Sequence, residues 1–117
     1  MQYLCLVRID DDLIGKLTPE EDRQQQLESM AHDEDLKSRG HLIAAQPVQG
    51  PESATTIRVR NGKVSMTDGP YVETKEHLSG FMVIDAKDLN EALALAGKAP
   101  VARFGSIEVR PTWDLKG

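Results

Sequence analysis

The chain has 117 residues, with 19 acidic and 14 basic side chains giving a net charge of −5. That length supports one core and one domain over residues 1–117, and the acidic balance argues against nucleic acid as main partner, because phosphate binding needs clustered Lys and Arg. Cys5 is the single cysteine, which excludes an intramolecular disulfide and a thiolate zinc site.

Residues 3–9 predict a strand that is apolar on both faces, with Tyr3, Cys5, Val7 and Ile9 on one and Leu4 and Leu6 on the other. Such a strand is covered on both sides. Arg8 ends the Leu4/Leu6 face, and residues 10–12, all Asp, are expected to break the strand. Thr18, Pro19 and Glu21 form a helix start, in which the hydroxyl caps, proline suits the first helical position and the glutamate completes a capping box. The helix is expected to run to about residue 39 and stop at Gly40. Leu27, Met30 and Ala31 fall on one side and His32 and Leu36 nearly opposite, so periodicity leaves its buried side undecided.

A short second strand follows over residues 41–45. Asn61-Gly62 then sits between two strand-like arms, residues 55–60 and 63–66, and is the preferred pair for a type I′ hairpin turn. Another turn at Asp68-Gly69-Pro70 leads to a strand over residues 80–85, again apolar on both faces: Phe81 and Val83 on one, Met82 and Ile84 on the other. Asp88 and Glu91 open a short helix whose expected buried stripe is Leu89, Ala92, Leu93 and Ala96. Residues 106–110 close the order, with Ile107 and Val109 inward and Glu108 and Arg110 opposite.

Strand, helix, strand, hairpin, strand, helix, strand is the pattern of an α+β, ferredoxin-like βαββαβ fold with an inserted β-hairpin. Both helices cover one sheet face. The other face stays apolar and uncovered, which a two-fold dimer would remedy.

Residues 67–76, beginning Thr67-Asp68-Gly69-Pro70-Tyr71, followed by Leu78-Ser79-Gly80-Phe81, resemble the hallmark of the DGPF family within the YCII-related proteins, with Tyr71 in the place of its phenylalanine. Residues 54–60, 84–93 and 105–111 match as well. The resemblance implies a dimeric α+β barrel and a stress or regulatory setting linked to sigma factors. Some YCII relatives are thought to be small enzymes using a His–Asp pair, and one activity in the wider group is dehydrochlorination of a chlorinated aromatic. His32-Asp33 is adjacent in sequence, but successive residues on a helix do not share a face, so the pair is not placed here.

Chemistry is expected in the 68–77 loop. Asp68, Tyr71 and Glu73 are the candidate proton-transfer groups. Arg8 and Arg110 are candidates for holding an anionic substrate, with Glu108 orienting Arg110. Tyr71 and Arg110 are expected to border one pocket. The three histidines have no metal-ligand spacing, and neither metal nor cofactor is expected. The leading reading is a homodimeric small-molecule binder or regulatory protein with a sigma-factor-linked partner. The alternative is a cofactor-free lyase or hydrolase-like enzyme for a small anionic or aromatic substrate. A third takes the hairpin as an interaction module. No apolar run approaches the ~20 residues of a membrane span and no leader-like start is present, so a cytoplasmic location is expected.

Overall fold

A computed structural model describes residues 1–115. Four strands, β1 (Gln2–Asp10), β2 (Leu42–Pro47), β5 (Glu76–Asp85) and β6 (Gly105–Pro111), form an antiparallel sheet in the order β2-β5-β1-β6. Leaving out the hairpin β3 (Thr55–Arg60) and β4 (Lys63–Asp68), which forms its own two-stranded sheet, this is the ferredoxin-like strand order. Helices α2 (Pro19–Ser38) and α3 (Leu89–Ala96) lie on one face, and a four-residue helix, α1 (Asp11–Ile14), follows β1.

The core forms where the inward side of β1 and β5 meets the helices: Tyr3, Cys5, Met82 and Ile84 pack with Leu36 of α2 and with Ala92, Leu95 and Ala96 of α3. Burial pushes the Cys5 thiol up to about 11, so it is an inert apolar filler. The opposite sheet face carries Leu4, Leu6, Phe81 and Val83, all only partly covered. Register sets Leu4 opposite Val83 and Leu6 opposite Phe81, so the two-sided pattern read in both strands is one continuous apolar face.

Three local expectations change. The buried stripe of α3 is Ala92, Leu95 and Ala96, while Leu89 and Leu93 are exposed. The helix is turned so that residues 92, 95, 96 and 99 meet the sheet, and Ala99, buried just beyond the helix, continues that stripe. β5 begins four residues earlier than expected. A bulge beside Val7 skips Ser79, after which Leu78, His77 and Glu76 pair with Arg8, Ile9 and Asp10, and such a bulge re-aims side chains beyond it. Asp10 does more than end β1: its carboxylate accepts from the Asp12 amide at 2.9 Å and starts α1.

Candidate functional site

Helix α2 is fixed at both ends by its own sequence. Thr18 Oγ1 accepts from the Glu21 amide at 3.1 Å, and Glu21 Oε1 accepts from the Thr18 amide at 3.0 Å, an arrangement that also holds Glu21 below the usual carboxylate value. At the other end His41 N–H reaches Leu36 O at 2.8 Å and Gly40 N–H reaches Lys37 O at 3.1 Å. This is the Schellman pair of bonds, and it needs the left-handed Gly40, at φ 79°.

Between these ends the helix turns an unexpected side inward. Leu36 is its one buried residue. Gln25, Ser29, His32 and Asp33, at helical spacing before it, are partly buried, Leu27 faces solvent, and Met30, though largely exposed, reaches the rim of the cavity those four line. The inward stripe is therefore polar, and it stands over a cavity of about 480 Å³. Val7 and Ile9 of β1, Met82 of β5 and Pro47 of β2 line the cavity opposite those four side chains. Gly80 permits this close-built floor, since a Cβ there would lie 2.9 Å from Gln46 O and 3.2 Å from Pro47 Cα.

Within this wall His32 Nε2 lies 3.2 Å from the Leu95 carbonyl oxygen. A carbonyl only accepts, so the bond assigns the proton to Nε2 and leaves the Nδ1 lone pair of the neutral ring available. Nδ1 is 4.0 Å from Asp33 Oδ1. Burial raises the Asp33 carboxyl above its ordinary value, and His32, when its ring is protonated, opposes the shift. Adjacency on the helix does not separate these side chains: their Cα directions differ by about 100°, and a cavity this broad admits both. The pair rejected from sequence is thus brought together by structure. Gln25 and Ser29 were missed altogether, although polar residues recurring every three or four positions up to Leu36 were the available signal.

The residues singled out from sequence fall into two groups. Arg8, Glu108 and Arg110 meet on the open sheet face: Arg8 Nη1 donates to Glu108 Oε1 at 2.9 Å, and Arg110 Nε donates to Glu108 Oε2. The Arg110 and Arg8 guanidiniums hold Glu108 below the usual carboxylate value. Asp68, Tyr71 and Glu73 are exposed, Tyr71 at 82%, and neither Tyr71 nor Arg110 lines this cavity. The loop instead spends backbone groups on the start of β3: Gly69 N–H donates to Ala54 O, and Thr56 Oγ1 donates to Gly69 O, both at 2.8 Å. His77, from the same segment, lies at the start of β5 with Nε2 2.8 Å from Asp11 Oδ1.

A second depression, about 490 Å³, opens at the start of α2 among Glu20, Glu21 and Glu28. Its Arg103 is already engaged, donating to Glu28 at 3.0 Å and lying over the Phe104 ring. Among the described residues no group of three His, Cys, Asp or Glu side chains is placed to hold a metal ion, and no helix is long and apolar enough to cross a membrane.

The chain belongs to the YCII-related domain family, which it matches over residues 1–116. It is 34% identical over 113 residues to an uncharacterized protein of Rhizobium meliloti (strain 1021), covering 95% of this chain and 91% of that one. Among solved structures it is similar in fold to 5-chloro-2-hydroxyhydroquinone dehydrochlorinase from Burkholderia phenoliruptrix AC1100, in complex with 2,5-dihydroxybenzoquinone. That match has a TM-score of 0.59 and 14% identity, and covers 97% of this chain and 94% of the other.

Proposed function

We propose that this YCII-related protein is a homodimer that binds a small, largely apolar molecule bearing hydroxyl or oxo groups in the cavity beneath α2. The observation carrying this is the polar stripe of Gln25, Ser29, His32 and Asp33 turned inward over an apolar strand floor. Gln25, Ser29 and His32 are held in place by bonds to Asp22, Gln25 and the Leu95 carbonyl, and pockets of this size with a few convergent polar groups are the usual form of a ligand site. The dimer reading rests on the open sheet face, where Leu4, Leu6, Phe81 and Val83 lie away from both long helices. Arg8, Glu108 and Arg110 belong to that face and would serve the contact between copies. The narrower DGPF assignment rests on residues 67–81.

A second reading, cofactor-free proton-transfer catalysis in the same cavity, is favoured by the raised Asp33 carboxyl and the Nδ1 lone pair of His32 beside it. Asp33 would accept a hydrogen bond from a ligand hydroxyl and orient it, and His32 Nδ1 would accept the proton of a hydroxyl beside it. The neighbouring fold binds 2,5-dihydroxybenzoquinone, which makes that compound and 2-hydroxyhydroquinone suitable probes. Titration calorimetry and amide NMR on the full chain should give saturable binding, with shifts at Ser29, His32 and Asp33, and Asp33→Asn should weaken it at least tenfold. Shifts confined to the 68–77 loop, or no binding of any hydroxylated ring compound, would overturn the cavity assignment.

A further inference from the structure

The hairpin is the part of the chain that its own fold does not use. Its register sets Ile57 opposite Met66 and Val59 opposite Val64, which puts all four side chains on one face, exposed at 63%, 70%, 54% and 63% in that order. Arg58, Arg60 and Lys63 occupy the other face. The turn is well specified, with Asn61 at φ 52° and Gly62 at φ 75°, the positive values a type I′ turn requires. A two-stranded hairpin standing by itself is at best marginally stable in water, so a specified turn carrying an uncovered apolar face points to a surface supplied from outside the chain.

We propose that the hairpin is an arm whose apolar face packs on a second copy of this chain, each copy gripping the other across the two-fold axis. The inference rests on the two-copy assembly proposed above and adds the element that secures it. Three observations select a second copy as the occupant. The first is area. A compact chain of 12.9 kDa exposes about 6,300 Å², whereas this one exposes 8472 Å². The excess of roughly 2,200 Å² per chain exceeds the ~800 Å² per partner of a standard interface and is in the range of obligate homodimers. The second is extension. The radius of gyration is 16.2 Å, against about 13 Å for a compact chain of this length.

The third is charge. Residues 55–68 hold three cations and one carboxylate, Asp68, for a net of +2, so with a net charge of −5 the remainder of the chain carries −7. Arms therefore repel arms and are drawn to the acidic body of another copy. The same −7 body opposes docking on an anionic bilayer, which the cationic, apolar arm taken alone would otherwise suit.

The test uses the full chain. Sedimentation velocity at micromolar concentration should give a dimer of the 12.9 kDa chain. A variant with Ile57→Ser, Val59→Ser, Val64→Ser and Met66→Ser should raise the dimer dissociation constant at least tenfold while its circular dichroism stays that of the parent. Should that variant fail to fold, Arg58→Glu with Arg60→Glu and Lys63→Glu keeps the apolar face and should weaken the dimer most at low salt. Zero-length carboxylate–amine cross-linking of mixed ¹⁴N and ¹⁵N chains should place Lys63 in mixed-isotope pairs. A dimer of unchanged affinity in both variants, with Lys63 cross-linked only within one isotope, overturns the arm and leaves the two-copy assembly standing. A parent chain that is monomeric overturns both, and a monomer that floats with anionic vesicles assigns the arm to a bilayer instead.

Discussion

Truncating Leu36 to Ala should cost the protein more than any other single change in α2, and should loosen the cavity with it. Leu36 is 1% exposed and is the sole buried residue of a 20-residue helix, so the packing of that helix on the sheet depends on one side chain. Burying a leucine contributes about 1.5–3 kcal/mol by transfer alone, and Leu→Ala in cores costs about 2–5 kcal/mol once the residual void is included. The cluster that holds Leu36 mixes Ala86, Ala92 and Ala96, which cannot move into a hole, with Met82, Ile84 and Leu95, which can, so relaxation is partial and the expected loss is about 2–5 kcal/mol. That is a large part of the ~5–15 kcal/mol that holds a typical domain folded. Leu27→Ala is the matched control. The residue is half-exposed on the same helix, and a surface change of this kind should stay within about 0.5 kcal/mol. Urea denaturation of both variants, with unchanged slopes, measures the difference. Equal losses in the two, or a Leu36→Ala loss under about 1 kcal/mol, would show that α2 docks by another face and would remove the wall of the proposed site.

Two further outcomes follow from close approaches elsewhere. Gly105→Ala should destabilise by about 3 kcal/mol or more, because its Cβ would lie 1.9 Å from the Arg8 carbonyl oxygen, a collision with backbone that no rotamer change relieves; a denaturation midpoint near the parent's would refute this. His77 should titrate above its ordinary 6.5, chiefly through its hydrogen bond to Asp11 with burial opposing. The folded state then holds the proton more tightly, so the contribution to stability is complete below pH 6.5 and is lost as pH rises through the folded value. NMR titration of the ring should show that rise in the parent and not in Asp11→Asn. Solvent screening keeps the stability effect small.

How much of this was legible depended on whether a feature was set locally. The Thr18–Glu21 box, the Gly40 stop and the Asn61-Gly62 turn were legible because each is decided by a few adjacent residues. The two-sided strands at residues 3–9 and 80–85 were legible because period-two patterns survive without knowing the partner. The early start of β5 was not, since residues 76–78 pair with β1 only through a bulge that Gly80 and Ser79 do not announce. The orientation of α3 was missed because its six leucine and alanine positions define two overlapping stripes, and packing beyond the helix, at Ala99, chose between them. The loop residues Asp68, Tyr71 and Glu73 attracted notice by their chemistry and density, but density in sequence does not make convergence in space. Arg8, Glu108 and Arg110 do converge, as strand alternation required, though on the sheet face remote from the helices.

The feature that periodicity could not resolve, the inward face of α2, turns out to be the informative one. A helix that merely covered a sheet would direct Leu27 inward and bury Met30, which here reaches only the cavity rim. This one directs Gln25, Ser29, His32 and Asp33 inward and holds itself in place with Leu36 and its two caps, so stability and the polar stripe are separable. Gln25→Leu with Ser29→Leu should then raise stability by about 0.5–2 kcal/mol, the range for filling a cavity with apolar side chains, while lowering affinity for 2,5-dihydroxybenzoquinone at least tenfold. The opposing signs are what a preserved binding site demands, because a structural stripe has no reason to stay polar where leucine would pack. If the double variant binds the probe as the parent does, the stripe is only a wetted helix face, whatever happens to its stability. If it unfolds more easily and binds less, the polar side chains are part of the packing and the separation argued for α2 fails.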